Sequence, residues 1–341
     1  MRKVSDCSER ELYTRLIDIL SGAEGGQGKG VHQGIGDDAA VLETSPHKRL
    51  ISSCDIMLEG RHFDLNYTSP RDLGYKALAV NISDIAAMGG SPLWAMVSLA
   101  LPAETPLLFW EEFYRGMNEI AELAGVTVVG GDTSSFPKVV VDVSILGEAR
   151  PHQIVSRSAA VAGEWVLVTG MLGSSAAGLS LLQENVSPKE MASGSVEPLI
   201  QAHLRPWPRF REAALLRNLP LGAMIDLSDG LAVGVEEICA SSGVGARLNY
   251  SSLPFLPETM ELAHKNGFSW DDWVIYGGED YELLLTVPAA KVAHVVETLT
   301  KDSGTPLTVL GEIVSQEEGL SLVYDNEEQE PLYTNRSYRH F

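Results

Sequence analysis

The sequence predicts an α/β fold of the α+β type, in which two domains each contain a mixed sheet. The chain has 341 residues, which is enough for about two domains of ordinary size. Hydrophobic residues make up 45% of it, so each domain can bury a core. Predicted strands and helices alternate without a regular β-α-β rhythm. The segment 150–163 is polar and lacks periodicity, so we expect domains at residues 1–149 and 150–341.

The first domain is predicted to open with an amphipathic helix. Ser8-Glu9-Arg10-Glu11 is a capping box, and apolar residues follow it at helical spacing. The glycine-rich stretch 22–36 is expected to form a loop, because its glycines carry high conformational entropy. Pro106 and Gly125 bracket a later helix. The other elements expected here are a helix over 70–88 and strands near 40–42, 50–54, 94–101, 126–129 and 139–147.

The second domain is predicted to continue the irregular alternation of strands and helices. Apolar periodicity distinguishes the two kinds of element. The expected strands are 165–169, 223–226, 281–287, 308–313 and 320–324. The expected helices are 174–182, 197–204, 209–218, 231–241 and 289–301.

Charge and cysteine content exclude several classes of partner and location. The formal net charge of −21 disfavours nucleic acid and anionic membranes as partners, because both need a basic surface. The three cysteines lie far apart and form no Cys-x-x-Cys pair, so we expect neither a zinc site nor a disulfide framework. No apolar run is long enough to cross a membrane, and the N-terminus is charged, unlike a signal peptide. We therefore expect a cytoplasmic protein.

Carboxylates recur in short motifs that are rich in glycine and serine. The motifs are Gly34-Ile35-Gly36-Asp37-Asp38, Ser53-Cys54-Asp55, Asn81-Ile82-Ser83-Asp84, Gly130-Gly131-Asp132, Asp226-Leu227-Ser228-Asp229-Gly230 and Gly277-Gly278-Glu279-Asp280. Acids that meet in one site repel each other unless cations lie between them. Mg²⁺ takes oxygen ligands and is often shared with substrate phosphates. The pattern therefore predicts a metal-dependent enzyme that acts on phosphates.

Three of these acids have positions that favour a ligand-binding role. Asp84 lies in an otherwise apolar helix, where a carboxylate is costly to bury unless it is paired or metal-bound. Asp132 and Asp226 are expected to follow the ends of strands, where α/β sheets usually bind ligands. Ordinary Asp-rich turns and helix N-caps remain the alternative explanation for single motifs, and Ser228 and Asp229 are good N-cap residues.

Two common nucleotide-binding motifs are excluded. Gly28-Lys29-Gly30 is not a phosphate-binding P-loop, because Ala23 replaces its first glycine and Gly30 follows the lysine. The Gly34-x-Gly36 turn carries acids that would face a pyrophosphate, and no predicted strand leads into it. The positive charge that phosphoryl transfer needs is therefore expected from several Mg²⁺ ions.

Four phrases taken together resemble the thiamine-monophosphate kinase family. This family belongs to the superfamily of aminoimidazole ribonucleotide synthetase and selenophosphate synthetase. The resemblance runs from about Gly34 to the C-terminus. The phrases are Gly-Ile-Gly-Asp-Asp, Tyr75-Lys76-Ala77-Leu78-Ala79-Val80-Asn81-Ile82-Ser83-Asp84, His203-Leu204-Arg205-Pro206 and Gly277-Gly278-Glu279-Asp280-Tyr281-Glu282-Leu283.

The resemblance implies ATP-dependent phosphorylation of thiamine monophosphate to thiamine diphosphate, by direct transfer and with no residue assigned as a general base. By the family's pattern, the Mg²⁺ ligands are Asp38, Ser53, Cys54, Asp55, Asp84, Asp132, Asp226 and Asp229. The implied ATP contacts are Gly131, Asp132, Arg157, Ser228 and Tyr114. The implied thiamine contacts are His62 and Glu279, joined by a residue near the C-terminus, Asn335 or Tyr338.

The chain departs from the family's pattern at two places. The family often has threonine where Cys54 stands, and there a backbone carbonyl can still serve as a ligand. An aromatic residue is expected near the C-terminus to stack on thiamine, but Asn335 occupies the aligned position. Tyr333 or Tyr338 can substitute, because a thiazolium cation favours an aromatic face.

The resemblance also implies an aminoimidazole ribonucleotide synthetase-like fold and a homodimer. In that arrangement the N-terminal domain binds ATP and Mg²⁺ and pairs its sheet with that of a second copy. Two alternatives stay open. A selenophosphate synthetase-like enzyme would use a reactive cysteine and a lysine near the N-terminus, for which Cys7 and Lys29 are the candidates. A non-catalytic, acidic divalent-metal-binding protein would more often gather its acids in one loop.

Overall fold

The computed structural model describes residues 2–20, 29–35, 39–184 and 196–337 of the chain. The chain divides into two compact units. The first contains Met1–Ile85 and Gly90–His152, and the second contains Ala86–Gly89 and Gln153–Phe341. The functional roles that the resemblance assigns to the two domains stay predictions.

The first unit is built on a four-stranded mixed sheet with the strand order β3-β6-β4-β5. β4 and β5 are parallel, whereas the other neighbours are antiparallel. A separate antiparallel pair, β1 and β2, precedes the sheet. The bounds are β1 Val31–Gln33, β2 Val41–Leu42, β3 Arg49–Leu58, β4 Ser91–Leu101, β5 Thr127–Ser135 and β6 Val140–Ala149.

Helices α1 (Glu9–Leu20), α2 (Pro70–Ala87) and α3 (Leu107–Ala124) belong to this part of the chain. The N-cap bond of the predicted capping box is present, because the backbone N–H of Glu11 donates to Ser8 Oγ, whereas the Glu11 carboxylate bonds to Arg2 and Arg15. Gly125 ends α3 in the left-handed conformation that glycine favours, with φ of 70°. The local signals for these helices were sufficient, and their predictions are confirmed.

One face of the four-stranded sheet carries exposed apolar side chains. Side chains alternate between the two faces of a strand, and residues paired across strands share a face. Cys54 pairs with Ser144, which pairs with Met96, so these three lie on one face. Ile56 follows on the same face, 52% exposed, and Met96 is 43% exposed. We call this the outer face.

The β1–β2 pair covers one end of the outer face. Trp94 is buried there in a small cluster to which Val31 and Leu42 contribute, and its indole N–H donates to the carbonyl of Lys29 across 2.9 Å. The sequence prediction of a loop over 22–36 is wrong at β1. β1 is a strand because it pairs with β2. The residues of β1 and their immediate neighbours carry no signal of that pairing.

The second unit is built on a seven-stranded mixed sheet with the order β13-β12-β9-β11-β7-β10-β8. Only β12 and β9 pair in parallel among these described strands. The bounds are β7 Glu164–Thr169, β8 Met224–Asp226, β9 Gly245–Asn249, β10 Leu283–Pro288, β11 Leu307–Val314, β12 Leu320–Val323 and β13 Gln329–Pro331.

Apolar clusters cover both faces of this larger sheet. Leu283 and Leu285 of β10 belong to one cluster, whereas Leu284 belongs to the other, as the alternation of side chains requires. The helices of this unit are α4 Ser174–Gln183, α5 Glu197–Leu204, α6 Phe210–Leu216, α7 Leu231–Ser242, α8 Pro257–Asn266, α9 Trp270–Tyr276 and α10 Val292–Ser303. The predicted class, two-domain α/β with mixed sheets, is confirmed.

The structure differs from the predicted elements in several places. The sequence places Asp132 beyond a strand end, but β5 runs on to Ser135 because its pairing with β4 continues through the two glycines. β9, β13, α8 and α9 have no counterpart in the prediction. Asp226, by contrast, ends β8 as predicted.

Candidate active site

In the first unit, a serine of β3 meets the predicted aspartate of α2. Ser53 Oγ donates to Asp84 Oδ2 across 2.5 Å, and Asp84 is half-buried. Asp55 lies two residues after Ser53, so its side chain leaves the same face of the strand. A carboxylate in an apolar helix needs a polar partner, and Ser53 is that partner for Asp84. Ser53 was itself predicted as a metal ligand.

Cys54 has the opposite orientation to its neighbours. Strand alternation places its side chain on the outer face, where it is exposed, away from the face of Ser53 and Asp55. Its thiol therefore does not join those oxygens, and its carbonyl is the group left for a ligand role. That role stays a prediction.

Gly131 and Asp132 lie within β5. A Cβ on Gly131 would lie 2.0 Å from the carbonyl oxygen of Val97, so only glycine fits this pairing. Asp132 is exposed on the outer face, and its Oδ1 accepts a hydrogen bond from the backbone N–H of Thr133 across 2.8 Å. Its side chain therefore leaves the sheet on the face opposite Ser53, and its role as a metal ligand stays a prediction.

Tyr114 lies in the interior of the first unit. It is 2% exposed, and its ring packs edge-on against Trp110 and Phe113. Burial raises the pKa of its phenol, and a hydrogen bond with Thr133 lowers it by less. The ring therefore does not line an open surface of this unit, and its predicted contact with ATP stays a prediction.

His62 follows β3 and is half-buried. Its Nδ1 accepts a hydrogen bond from the backbone N–H of Leu58 across 3.0 Å. In the neutral ring this bond leaves the proton on Nε2, so Nε2 is the donor that the ring can turn toward a ligand.

In the second unit, two of the predicted motifs lie side by side. The backbone N–H of Glu279 donates to the carbonyl of Ser228 across 2.7 Å, and that of Tyr281 donates to Leu227 across 2.9 Å. Asp226 is buried at the end of β8, and Asp229 is half-buried just before α7. The two motifs are therefore bonded to each other through their backbones, and we call the segments 226–230 and 277–280 the motif pair.

The backbone of the Gly-Gly-Glu-Asp segment is strained. Glu279 and Tyr281 have φ values of 66° and 51°, although neither is glycine. Such conformations cost about 1–3 kcal/mol each and persist only where the surroundings enforce them. The glycines before them are required for a different reason, since a Cβ on Gly278 would lie 2.6 Å from the carbonyl oxygen of Ser228.

Asp280 anchors this segment to the start of α4. Its carboxylate accepts hydrogen bonds from the backbone N–H groups of Gly173 at 2.7 Å and Ser175 at 3.2 Å. Burial raises the pKa of Asp280 to about 7; the two N–H groups lower it, and the nearby acids Glu282 and Glu279 raise it further. The side chain thus has an anchoring role, although the sequence offers it only as one more candidate acid.

A buried ion pair supports the same segment from the other side. Arg209 forms a bidentate contact with Glu282, with distances of 2.6 and 2.5 Å. Thr169 of β7 donates to the same carboxylate across 2.6 Å. Sequence reasoning missed Arg209, because nothing local connects it with a motif that lies far along the chain.

His203 is another functional candidate that sequence reasoning did not single out. Its Nδ1 lies 3.2 Å from Glu279 Oε2 and 3.1 Å from Ser175 Oγ. The available signal was its place in the phrase His203-Leu204-Arg205-Pro206, which the resemblance used without assigning a role.

Among the remaining predicted residues, Arg157 and Asn335 are exposed, and two others lie outside the described residues. Arg157 is exposed and paired with Glu237, with Nη1 and Oε2 2.5 Å apart. Asn335 is exposed in a turn, and the next residue, Arg336, places its guanidinium 4.6 Å from the centre of the Tyr276 ring. Asp38 and Tyr338 lie outside the described residues.

The candidate metal ligands are of the kind that Mg²⁺ binds. Across 2–20, 29–35, 39–184 and 196–337, no three His, Cys, Asp or Glu side chains come together as a preformed metal site. The candidate side chains described above, apart from the thiol, are carboxylate and hydroxyl oxygens, which Mg²⁺ prefers. Mg²⁺ usually binds through one or two carboxylates together with water and substrate phosphates, so these residues fit it without an all-protein cage.

Comparisons with known proteins identify the family. Residues 36–149 match the N-terminal domain of AIR synthase related proteins, and residues 161–323 match the C-terminal domain. The thiamine-monophosphate kinase of Bacillus subtilis (strain 168) is 39% identical over 312 residues, which cover 91% of this chain and 94% of that protein. The chain belongs to the thiamine-monophosphate kinase family. It is therefore an enzyme of the kinase class.

Solved structures of the family support the same fold. The crystal structure of the thiamine-monophosphate kinase from Stenotrophomonas maltophilia K279a is similar, with a TM-score of 0.80 and 32% identity, covering 92% of this chain and 95% of that one. AaThiL complexed with AMPPCP and TMP has a TM-score of 0.73 and 29% identity, covering 100% of this chain and 99% of that one. The expected aminoimidazole ribonucleotide synthetase-like fold is confirmed.

The described helices include no membrane-spanning segment. None of them combines the length and the apolar character that crossing a bilayer requires.

Proposed function

We propose that this chain transfers the γ-phosphate of ATP to thiamine monophosphate, which yields thiamine diphosphate and ADP. The observation that carries the proposal is membership of the thiamine-monophosphate kinase family at 39% identity over nearly the whole chain. AaThiL, which shares the fold, is complexed with AMPPCP and TMP. AMPPCP replaces the oxygen between the β- and γ-phosphates of ATP with a methylene group, so it occupies the place of a phosphate donor.

In this proposal the motif pair contributes both a substrate contact, Glu279, and two metal ligands, Asp226 and Asp229. Glu279 binds the thiamine moiety, because its carboxylate complements the positive charge of the thiazolium ring. His62 contributes the donor on Nε2. The C-terminal contact falls to Asn335 or to Tyr338. Gly131, Asp132, Arg157, Ser228 and Tyr114 are the proposed contacts of ATP.

Several Mg²⁺ ions complete the proposed site. Their ligands would be Asp38, Ser53, Cys54, Asp55, Asp84, Asp132, Asp226 and Asp229, with Cys54 acting through its carbonyl. Bound Mg²⁺ neutralises phosphate charge and aligns donor with acceptor. The net charge of −21 would otherwise repel two anionic substrates.

The acceptor itself explains why no general base is assigned. The second pKa of a phosphate monoester is about 6, so its oxygens are ionised at neutral pH. The attacking oxygen then has no proton to lose. What the residues of this chain must do is bind, orient and exclude water, which is the usual division of labour in phosphoryl transfer.

We also propose that the protein acts as a cytoplasmic homodimer in which the outer face of the N-terminal domain forms the interface. Exposed Leu50, Ile56 and Met96 on that sheet support the interface, because apolar side chains on a sheet face are more stable when covered. Cys7, Cys54 and Cys239 are free thiols, which is typical of a reducing compartment.

A direct assay tests the proposed reaction. The purified chain is incubated with ATP, Mg²⁺ and thiamine monophosphate, and thiamine diphosphate and ADP are separated by chromatography. Selenide and formylglycinamidine ribonucleotide replace the acceptor in parallel reactions. We expect stoichiometric thiamine diphosphate and ADP with thiamine monophosphate alone. ADP formation only with another acceptor, or binding of Mg²⁺ without nucleotide in calorimetry, would overturn the proposal.

Two substitutions test the metal ligands. Asp84→Asn and Asp229→Asn keep the shape of each side chain but remove its charge, so we expect turnover to fall by at least about a hundredfold. Asp302→Asn, at an exposed position near the end of α10, is the matched control and should keep full turnover. Circular dichroism checks that all three variants fold. Full turnover of Asp84→Asn and Asp229→Asn at saturating Mg²⁺ would contradict the ligand assignment.

A further inference from the structure

His203 is a buried histidine whose Nδ1 atom lies close to the carboxylate of Glu279, a candidate thiamine contact. It lies on α5 and is 3% exposed. Its Nδ1 atom is 3.2 Å from Glu279 Oε2 and 3.1 Å from Ser175 Oγ. A histidine that only fills a core would place its ring among apolar side chains. This ring instead directs a nitrogen at the carboxylate of the Gly-Gly-Glu-Asp segment.

The two partners differ in their access to solvent. The His203 side chain is 4% exposed, whereas that of Glu279 is 28% exposed. The carboxylate therefore extends from the buried imidazole toward the surface. One oxygen meets the histidine, and the accessible part of the group can meet a ligand.

The backbone around Glu279 is held in a defined position. Its N–H is bonded to the carbonyl of Ser228, and its φ of 66° is enforced rather than relaxed. Asp280, the next residue, accepts from the N–H of Ser175. Ser175 thus contacts both the segment and the histidine, since its N–H donates to Asp280 and its hydroxyl lies 3.1 Å from His203 Nδ1.

With the backbone fixed, the remaining freedom of Glu279 lies in its own side-chain rotations. A glutamate has several rotatable bonds, and ordering them upon binding a ligand costs entropy. The contact with Nδ1 removes much of that freedom before a ligand arrives. With a proton on Nδ1, the imidazole presents its positive edge to the carboxylate 3.2 Å away, and the Ser175 hydroxyl lies 3.1 Å from the same nitrogen.

We propose that His203 is a positioning residue that holds the Glu279 carboxylate in the orientation in which it binds the cationic thiamine moiety. This inference rests on the proposed function, which places Glu279 in the thiamine pocket. Because Glu279 faces the thiamine moiety, a change at His203 alters the binding of thiamine monophosphate and leaves the binding of ATP unchanged.

Two variants of His203 and one control test the proposal. His203→Ala removes the contact, and His203→Asn keeps an N–H donor close to the position of Nδ1. His264→Ala, at an exposed position on α8, is the matched histidine control. Steady-state kinetics are measured for thiamine monophosphate and for ATP separately, and calorimetry measures the binding of unphosphorylated thiamine.

We expect His203→Ala to raise the KM for thiamine monophosphate by about tenfold and to weaken thiamine binding similarly, with the KM for ATP unchanged. His203→Asn should recover most of that loss, and His264→Ala should match the wild type. Equal changes in both KM values, or a thiamine affinity that does not move, would overturn the inference. If His203→Ala does not fold, His203→Leu, which keeps most of the volume and removes the polar nitrogens, takes its place. A KM that rises for thiamine monophosphate and not for ATP then supports the proposal, and unchanged KM values oppose it.

The failure of the proposed function has a different signature. In that case the wild-type chain forms no thiamine diphosphate at all and binds no thiamine. An active wild type with an indifferent His203→Ala variant would leave the function standing and remove only the role of the histidine.

Discussion

Glu148 is a buried carboxylate, with 1% of its side chain exposed. Residues that precede β3 balance its negative charge and satisfy its hydrogen bonds. The hydroxyl and the backbone N–H of Ser45 donate to it across 2.7 and 2.9 Å, and Lys48 Nζ lies 2.6 Å away. Burial raises the pKa of Glu148, but the hydrogen bonds from Lys48 and Ser45 outweigh it and lower the pKa to about 2. The group is therefore ionised in the folded protein and tied to the segment that leads to β3.

The depressed pKa of Glu148 predicts a pH-dependent contribution to stability. The ordinary glutamate pKa is 4.5 and the folded one is about 2, so the folded state favours the ionised form. The stabilisation is complete above pH 4.5 and is lost as the pH falls from there toward 2. Glu148→Gln should cost about 1–3 kcal/mol of unfolding free energy at pH 7, because it leaves Lys48 without its charge partner.

Urea unfolding at pH 7 and at pH 3.5 measures this effect. The wild type should lose more stability between the two pH values than Glu148→Gln does. Glu43→Gln is the control, since Glu43 is exposed and pairs only with His32 among the contacts described for its side chain. An identical pH dependence of wild type and Glu148→Gln would contradict the assignment.

At the scale of elements, α2 and α3 pack with their backbones in contact. A Cβ added to Gly74 would lie 1.8 Å from the carbonyl oxygen of Phe113, and one added to Gly116 would lie 1.7 Å from that of Arg71. Neither glycine has a positive φ, so what requires glycine here is space. The crossing fixes α2, which carries Asp84, against the rest of the first unit.

Gly74→Ala and Gly116→Ala should therefore destabilise the protein despite a better helix propensity. Alanine gains about 1 kcal/mol over glycine within a helix. Forcing a Cβ into backbone atoms costs about 1–3 kcal/mol or more, because two helices must move apart. We expect a net loss of stability in chemical unfolding. Leu123→Ala, an exposed position on α3, should change stability by no more than about 0.5 kcal/mol. A stabilised Gly74→Ala variant would show that the helices do not cross this closely.

At the scale of the whole molecule, the exposed apolar outer face predicts the assembly state. Leu50, Ile56 and Met96 remain exposed in the single chain. If the outer face forms the proposed dimer interface, a charge placed at its centre is buried without a partner and is strongly unfavourable.

Ile56→Asp should therefore convert the dimer into a monomer. Light scattering coupled to gel filtration should give twice the 36.9 kDa chain mass for the wild type and a single chain mass for the variant. Val161→Asp, an exposed apolar position in the second unit, is the control and should remain dimeric. A monomeric wild type would refute the proposed interface, as would an Ile56→Asp variant that stays dimeric.

The sequence by itself determined the elements whose signals are local. The helix that Ser8 caps and the helix that Gly125 ends are specified by residues within a few positions of each terminus. The short phrases also determined the family, and with it Glu279 as a thiamine-binding candidate. These succeeded because caps, periodicity and motifs depend on neighbours along the chain.

Only the tertiary structure decided which side chains face each other. It placed Cys54 on the face opposite Ser53, extended β5 past Asp132 and brought His203 and Arg209 to the segment around Glu279. Each of these depends on strand register or on packing between elements that are distant in sequence. Register reverses the face of every residue when it slips by one position, and no local pattern fixes it to that accuracy.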